Sequence, residues 1–287
     1  EEFAMRYFSL TQDFAILQPY ERQLFSKSTL DLMFIVDCTG SMNPWIDATK
    51  NELDKIIDYI KCNNPYAKIR VSFVGYRDYC DDKLKGKEVP KGKHMGRFSY
   101  IDFDENYSDV KEFISTVVAK GGGDEPEDLA GGLNLGLKQS WTSQAKYAII
   151  ICDAPCHGKQ YHDLFGDQYP KGDPKGLVME DIVREYAKSD INLFAIKINE
   201  TTRKMYKILS ETYQDIARKP ISIADLGNST DKFAFFVAYG ASNTLSSITM
   251  DNISLKEFLN ELNKETIVQP ENTVINNTMI VDNSYSD

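Results

Sequence analysis

The stretch Leu30–Ser41 reads LDLMFIVDCTGS, an apolar run closed by one acid and two hydroxyls. Leu32 to Val36 shows no polar alternation, the pattern of a central parallel strand covered on both faces. In the turn that follows, Asp37, Thr39 and Ser41 carry oxygens at the first, third and fifth positions, and Gly40 lets the backbone fold tightly. Oxygens gathered on one side of a turn suit a hard cation. The blander reading has Asp37 and Ser41 merely capping the next helix. Against it, Tyr147 to Cys152 is a second fully apolar strand, and it too ends in an acid, Asp153.

Outward from this stretch, strand and helix patterns alternate. Pro44 suits a first helical turn, and Trp45, Ile46, Thr49, Leu53, Ile56, Ile57 and Ile60 recur at helical spacing up to about Cys62. Ala67 to Tyr76 is predicted as a strand. Arg97 to Phe103 is its antiparallel partner across a lysine-rich loop, making a hairpin at a sheet edge. A helix capped by Asn106 or Ser108 runs through Val110, Phe113, Ile114 and Val117 and stops at Gly121-Gly122-Gly123. The next helix begins at the acidic segment Asp124–Asp128, where the dipole favours carboxylates, and runs to about Gln139. Beyond Asp153, residues 154–175 form a long loop crowded with aromatic, histidine and aspartate residues, which reads as functional. A helix (174–189), strand (191–198), helix (201–217), strand (221–224) and helix (231–246) complete the order. The expected fold is α/β: a doubly wound, mostly parallel six-stranded sheet with one antiparallel edge strand and helices on both faces. Residues 1–29 read as an N-terminal arm, 30–248 as the domain, and 249–287 as a short helix (Leu255–Leu262) with a flexible tail.

Composition narrows the function. A net charge of −10 over 287 residues excludes nucleic acid as the main partner, since phosphate binding needs a dominant basic surface. No apolar stretch approaches the ~20 residues of a membrane span, and the start Glu1-Glu2-Phe3 is not a signal peptide. Five cysteines form no spaced framework, which favours a reducing compartment and a cytoplasmic location.

In a doubly wound sheet, ligands bind outside the carboxyl ends of the strands where strand order reverses. If the strands ending in Asp37 and Asp153 are neighbours, their carboxylates converge with Thr39 and Ser41. A site of hard oxygens that keeps its waters suits Mg²⁺, with Ca²⁺ or Mn²⁺ as alternatives.

These residues resemble the von Willebrand factor type A (VWA) domain and its metal-ion-dependent adhesion site (MIDAS). That family's Asp-x-Ser/Thr-x-Ser pattern is matched by Asp37, Thr39 and Ser41, and its later strand-end aspartate by Asp153. The family's threonine after a Gly-Gly pair falls here at Gly122-Gly123-Asp124. Within the family, the residues most resemble the VWA domain of von Willebrand-type alpha-kinases. The matches are Asp37–Met42, Gly75-Tyr76-Arg77-Asp78, Gly121–Asp128 and Asp153-Ala154-Pro155-Cys156-His157-Gly158. The resemblance implies a non-catalytic binding module for a protein ligand, with Mg²⁺ held by Asp37, Thr39, Ser41, Asp124 and Asp153. It also implies a regulatory or targeting role beside a separate kinase domain. Three carboxylates against two charges would leave the metal less demanding of an acidic partner.

Around that site, Arg77, Asp78, Glu125, His157, His162 and Asp163 are expected to shape the binding rim, with Arg77 and Asp78 as a local ion pair. Cys156, His157, His162 and Asp163 match zinc ligands by type, although their spacing fits no compact zinc pattern. The lysine-rich 83–97 segment could contact an acidic partner or a membrane surface, although such a run is usually a solvated hairpin. The rival to a binding module is a Mg²⁺-dependent phosphohydrolase of the haloacid-dehalogenase type, with Asp37 as nucleophile. That chemistry wants a second acid two residues after the nucleophile, where this chain has Thr39.

Overall fold

The computed structural model describes residues 28–84 and 91–252. The expected N-terminal arm, the Leu255–Leu262 helix and the tail fall almost wholly outside them. Chain contacts divide the sequence after Thr249.

Strands β1 (Thr29–Asp37), β2 (Lys68–Tyr76), β3 (Lys93–Met95), β4 (Phe98–Asp104), β5 (Ala145–Cys152), β6 (Asn192–Lys197) and β7 (Ser222–Asp225) form one sheet in the order β3-β4-β2-β1-β5-β6-β7. Among the described residues six α-helices accompany them: α1 (Asn43–Asn63), α2 (Tyr107–Thr116), α3 (Leu129–Leu137), α4 (Met179–Lys188), α5 (Arg203–Ala217) and α6 (Phe233–Asn252). The sheet therefore has seven strands rather than six. The extra one, β3, pairs His94 with Ser99 across a tight hairpin. Three residues are too few to display a period in sequence. The antiparallel edge is thus the β3–β4 hairpin, with β4 antiparallel to β2 and β3 outermost.

β1 lies at the centre and pairs in parallel with β2 on one side and β5 on the other. Its alternate residues supply both layers. Leu30, Leu32, Phe34 and Val36 pack with α1, α2 and α6 through side chains such as Ile56, Phe113 and Phe233. Met33 and Ile35 pack with α3, α4 and α5 through Leu133, Val183 and Leu209. Every residue from Leu30 to Val36 is fully buried, so β1 reads as a continuous apolar run broken only by Asp31.

Asp31 is buried yet fully satisfied. Arg70 grips it with two bonds of 2.9 and 2.8 Å, and the N–H groups of Thr142 and Ser143 and the Ser143 hydroxyl donate to it as well. This cluster ties the entering ends of β1, β2 and β5 together. The exit ends are built differently, and they carry the candidate site.

Some helix boundaries shift from the sequence reading. α4 starts at Met179 rather than near Pro174, because Asp173 Oδ1 accepts from the N–H groups of Lys175 and Leu177 and holds that segment in a turn. α3 starts at Leu129 behind Asp128, whose side chain caps it by accepting from Gly131 N–H at 2.7 Å.

Candidate metal site

Three loops meet at the exit ends of the central strands. The first, Asp37–Ser41, leaves β1 and passes into α1 through a short turn of 3₁₀ helix at Gly40–Met42. The second, Val117–Asp128, joins α2 to α3. The third begins at Asp153 after β5. Because β1 lies between β2 and β5, and the chain runs outward in opposite senses from it, this is the topological switch point of the sheet.

Backbone bonds lock the loops to one another. Lys120 N–H donates to Cys38 carbonyl at 3.1 Å, and Glu127 N–H donates to Pro155 carbonyl at 3.0 Å. Gly122 N–H donates to Asp81 Oδ2 at 3.0 Å. Arg77 donates from Nε and Nη2 to the carbonyls of Lys120 and Val118, at 3.1 and 2.8 Å. The result is an open basin lined by Thr39, Gly40, Ser41, Gly121–Glu125, Glu127, Asp153, Ala154 and Asn199.

Asp37, at the end of β1 and two residues before the lining residue Thr39, is entirely buried. One carboxylate oxygen, Oδ1, accepts from both the N–H and the hydroxyl of Thr39 at 2.8 Å, while Oδ2 has no hydrogen-bond partner. The contrast with Asp31 on the same strand is direct, because there both oxygens are bonded. Burial pushes the Asp37 carboxyl up to about 7, against the bonds from Thr39 and with added repulsion from Asp153. Asp153 lines the basin with partial exposure, and Ser41 is exposed at its edge. Asp124 also lines the basin. Its Oδ2 accepts from Gln168 N–H at 2.7 Å and its Oδ1 is buried without a partner. Burial raises its pKa, helped by Asp78 and Asp167 and opposed by the Gln168 bond and His157.

The basin holds a carboxylate not singled out above. Glu127 is 3% exposed, its Oε2 has no hydrogen-bond partner, and its pKa is pushed up to about 11 by burial and then by Asp37. In sequence it is one of four acids in eight residues, and nothing in that spacing says which of them turns inward.

The other expected rim residues divide sharply. Glu125 and Asp163 are exposed. Arg77, Asp78, His157 and His162 are buried, at 3%, 0%, 4% and 2% exposure, and they brace the loops from beneath. Arg77 and Asp78 part company: Arg77 holds the second loop, and Asp78 Oδ1 meets His157 Nε2 at 2.8 Å. His157 Nδ1 meets Asp167 Oδ1, also at 2.8 Å, so the imidazole bridges two carboxylates and donates from both nitrogens. Burial disfavours that cation, but the bonds to Asp78 and Asp167 outweigh it and raise the His157 pKa. His162 accepts from Leu164 N–H at Nδ1, which leaves Nε2 to donate to Asp167 Oδ2 at 3.1 Å. Asp167 also accepts from the N–H groups of Gly158 and Tyr169. It organises the 154–175 loop and was legible only as one acid among several. The zinc alternative does not assemble: Cys156 packs in the core, both nitrogens of each histidine are engaged, and Asp163 pairs with Lys204 at 2.7 Å. Among the described residues, Asp78, Asp124 and His157 offer ligand atoms within 4.8 Å of one another.

No family model matches the chain. It is, however, 33% identical over 196 residues to alpha-protein kinase vwkA of Dictyostelium discoideum, a match covering 68% of this chain and 29% of that protein. With the Asp37-x-Thr39-x-Ser41 loop at the switch point of a doubly wound sheet, that relationship decides the family. The chain carries a von Willebrand factor type A domain. A second relative, the putative ariadne-like RING finger protein R811 of Acanthamoeba polyphaga mimivirus, is 31% identical over 134 residues, covering 47% of this chain and 12% of that protein. The VWA chain therefore spans less than a third of either relative. Among solved structures, the pilus adhesin SpaC of Lactobacillus rhamnosus GG in its open conformation superposes with a TM-score of 0.49 at 15% identity, over 77% of this chain and 30% of that one. The SpRpn10 VWA domain superposes with a TM-score of 0.43 at 11% identity, over 73% of this chain and 93% of that one.

Proposed function

We propose that this VWA domain is a metal-dependent protein-binding module whose MIDAS-like site holds Mg²⁺ against Asp37, Thr39, Ser41 and Asp153, with a carboxylate of the second loop completing the set. The observation that supports this best is the orphaned Oδ2 of Asp37. A fully buried carboxylate oxygen without a partner is costly, and a cation in the basin would satisfy it. The donors are all hard oxygens, which fits Mg²⁺ and also admits Ca²⁺ or Mn²⁺.

On this reading the domain binds rather than catalyses. Asp37 is buried beneath the basin, and Thr39 stands where a phosphohydrolase of the rival type would place its second acid. The partner is a protein that approaches the open basin. With three carboxylates facing one divalent ion, the partner supplies a neutral oxygen or a water-mediated contact rather than a carboxylate. Kinship with vwkA supports a regulatory or targeting role beside an alpha-kinase domain in the cytoplasm, where the five cysteines, all free in the structure, would stay reduced. Membrane-surface contact through residues 83–97 is the weaker alternative: Arg97 is buried between Asp82 and Asp128, and Lys91 is paired with Asp104 and Asp109. Lys85 and Lys87 lie outside the described residues. No helix among the described residues is long and apolar enough to cross a membrane.

The test is affinity capture with the purified chain in Mg²⁺ and in EDTA, with Asp37→Ala as control. Capture that is lost in both EDTA and the variant supports the reading. Turnover of an aryl phosphate, abolished by Asp37→Asn, would replace it with the phosphohydrolase.

A further inference from the structure

We infer that Phe165 anchors the bound protein, which receives the ring in an apolar pocket rimmed by lysine or arginine. The inference rests on the basin being a metal-dependent protein-binding site, and it names the chemistry that the partner brings.

Phe165 is 100% exposed, and no other large apolar side chain among the described residues exceeds 59%. A single exposed apolar residue carries no meaning by itself. What sets Phe165 apart is how firmly the chain beneath it is held. Before it, Leu164 N–H donates to His162 Nδ1 at 3.1 Å. After it, Asp167 accepts from the N–H groups of Gly158 and Tyr169 at 2.9 and 2.8 Å and meets His157 at 2.8 Å and His162 Nε2 at 3.1 Å. The buried His162 ring therefore grips the tip on both sides of Phe165. Gly166 lies between, at φ +84°, and supplies the left-handed turn that glycine adopts without strain. An aromatic side chain on a fixed backbone loses little conformational freedom on binding, and such residues carry a large share of interface energy.

The tip is tied to the basin. Gln168 N–H donates to Asp124 Oδ2 at 2.7 Å, and Asp124 lines the basin. With three residues between their backbones, Phe165 lies at most ~11 Å from Gln168. One side of a standard protein interface covers a patch roughly 30 Å across, so a single partner can touch both the basin and the ring.

Charge sets the rest of the partner's chemistry. Asp124, Glu125, Glu127 and Asp153 line the basin, and one divalent cation does not offset all of them. Beside the ring, Asp163 is exposed, with Lys204 as its counter-charge at 2.7 Å. The face around Phe165 is therefore acidic with one apolar projection. A protein pocket that is apolar within and basic at its rim complements both features, whereas an anionic membrane surface would be repelled by the same acids.

The test installs a photoreactive benzophenone analogue of phenylalanine at position 165 of the full chain. The chain is illuminated in a lysate of the source cells in Mg²⁺ and in EDTA, and the cross-linked residues are mapped by mass spectrometry. The partner captured in Mg²⁺ is then purified and titrated calorimetrically against wild type, Phe165→Ser and Phe165→Leu, with near-ultraviolet circular dichroism as the folding control. Cross-links fall on apolar residues flanked by lysine or arginine and vanish in EDTA. Phe165→Ser weakens binding ~30-fold or more, the loss expected of an anchor residue, and Phe165→Leu recovers most of it. A Mg²⁺-dependent partner that binds Phe165→Ser as tightly as wild type overturns the inference and leaves the basin reading intact. Absence of any Mg²⁺-dependent partner overturns both. Binding to phosphatidylcholine–phosphatidylserine vesicles, or self-association of the chain, that Phe165→Ser abolishes would assign the ring to a membrane or to a second copy and overturn the inference as well.

Discussion

Replacing Asp37 with asparagine should make the metal-free protein more stable, although it removes the residue most central to the site. In the folded chain, burial holds the Asp37 carboxyl up to about 7, well above the ordinary 3.8. The unfolded chain therefore loses this proton first as pH rises, and folding is penalised progressively from about pH 4 to pH 7. Each pH unit between the two values is worth ~1.4 kcal/mol, so the ionised side chain costs at most ~4 kcal/mol above pH 7. Asparagine removes the charge yet keeps an Oδ1 to accept the two bonds from Thr39. In EDTA, guanidinium unfolding should show Asp37→Asn more stable than wild type by ~2–4 kcal/mol at pH 8 and equal to it near pH 4. In Mg²⁺ the gap should close, because only the wild type gains binding energy, ~2.7 kcal/mol at a hundredfold excess over Kd. If Asp37→Asn is instead destabilised in EDTA at pH 8, Asp37 is a helix-capping residue and the orphaned oxygen has no functional meaning.

Further outcomes follow from the same geometry. His157 has a pKa raised above 6.5, so its ion pairs stabilise the fold fully below that value and are lost as pH rises through the folded one. His157→Gln should cost ~3 kcal/mol in urea unfolding at pH 5.5 and visibly less at pH 8.5. Gly122 has φ +89°, and a side chain there would meet Glu127. Gly122→Ala should lower Mn²⁺ affinity in a calorimetric titration while the folded dichroism spectrum persists. Asp31→Ala strands Arg70 at the far end of the sheet and should destabilise by ~3–5 kcal/mol in thermal or chemical unfolding, with no change in metal affinity for the protein that remains folded.

The fold was legible where burial is two-sided and the chemistry repeats. β1 from Leu32 to Val36 and β5 from Tyr147 to Cys152 are apolar runs, each closed by an aspartate, Asp37 or Asp153, so their adjacency and the switch point between them could be anticipated. The hairpin strand β3 could not, since three residues carry no pattern. The site was legible where a short turn fixes its own geometry, as from Asp37 to Ser41. It was not legible where long-range contacts choose among similar residues. Asp124, Glu125 and Glu127 all line the basin, and Glu127 is the buried one of the three, tied by the bond from its N–H to Pro155 and the bridge to Cys156, both across the molecule. Likewise, Arg77, Asp78, His157 and His162 have the composition of a binding rim. They are drawn inside because each finds a buried partner: carbonyls for Arg77, and a chain of carboxylates and imidazoles for the other three.

The proposed binding activity requires one cation at the exit ends of β1 and β5. The most direct measurement is an anomalous-scattering map from crystals grown with Mn²⁺. A single peak enclosed by Asp37, Thr39, Ser41, Asp153 and a carboxylate of the second loop is the expected result. A peak instead among Asp78, Asp124 and His157, or none at saturating Mn²⁺, would contradict it.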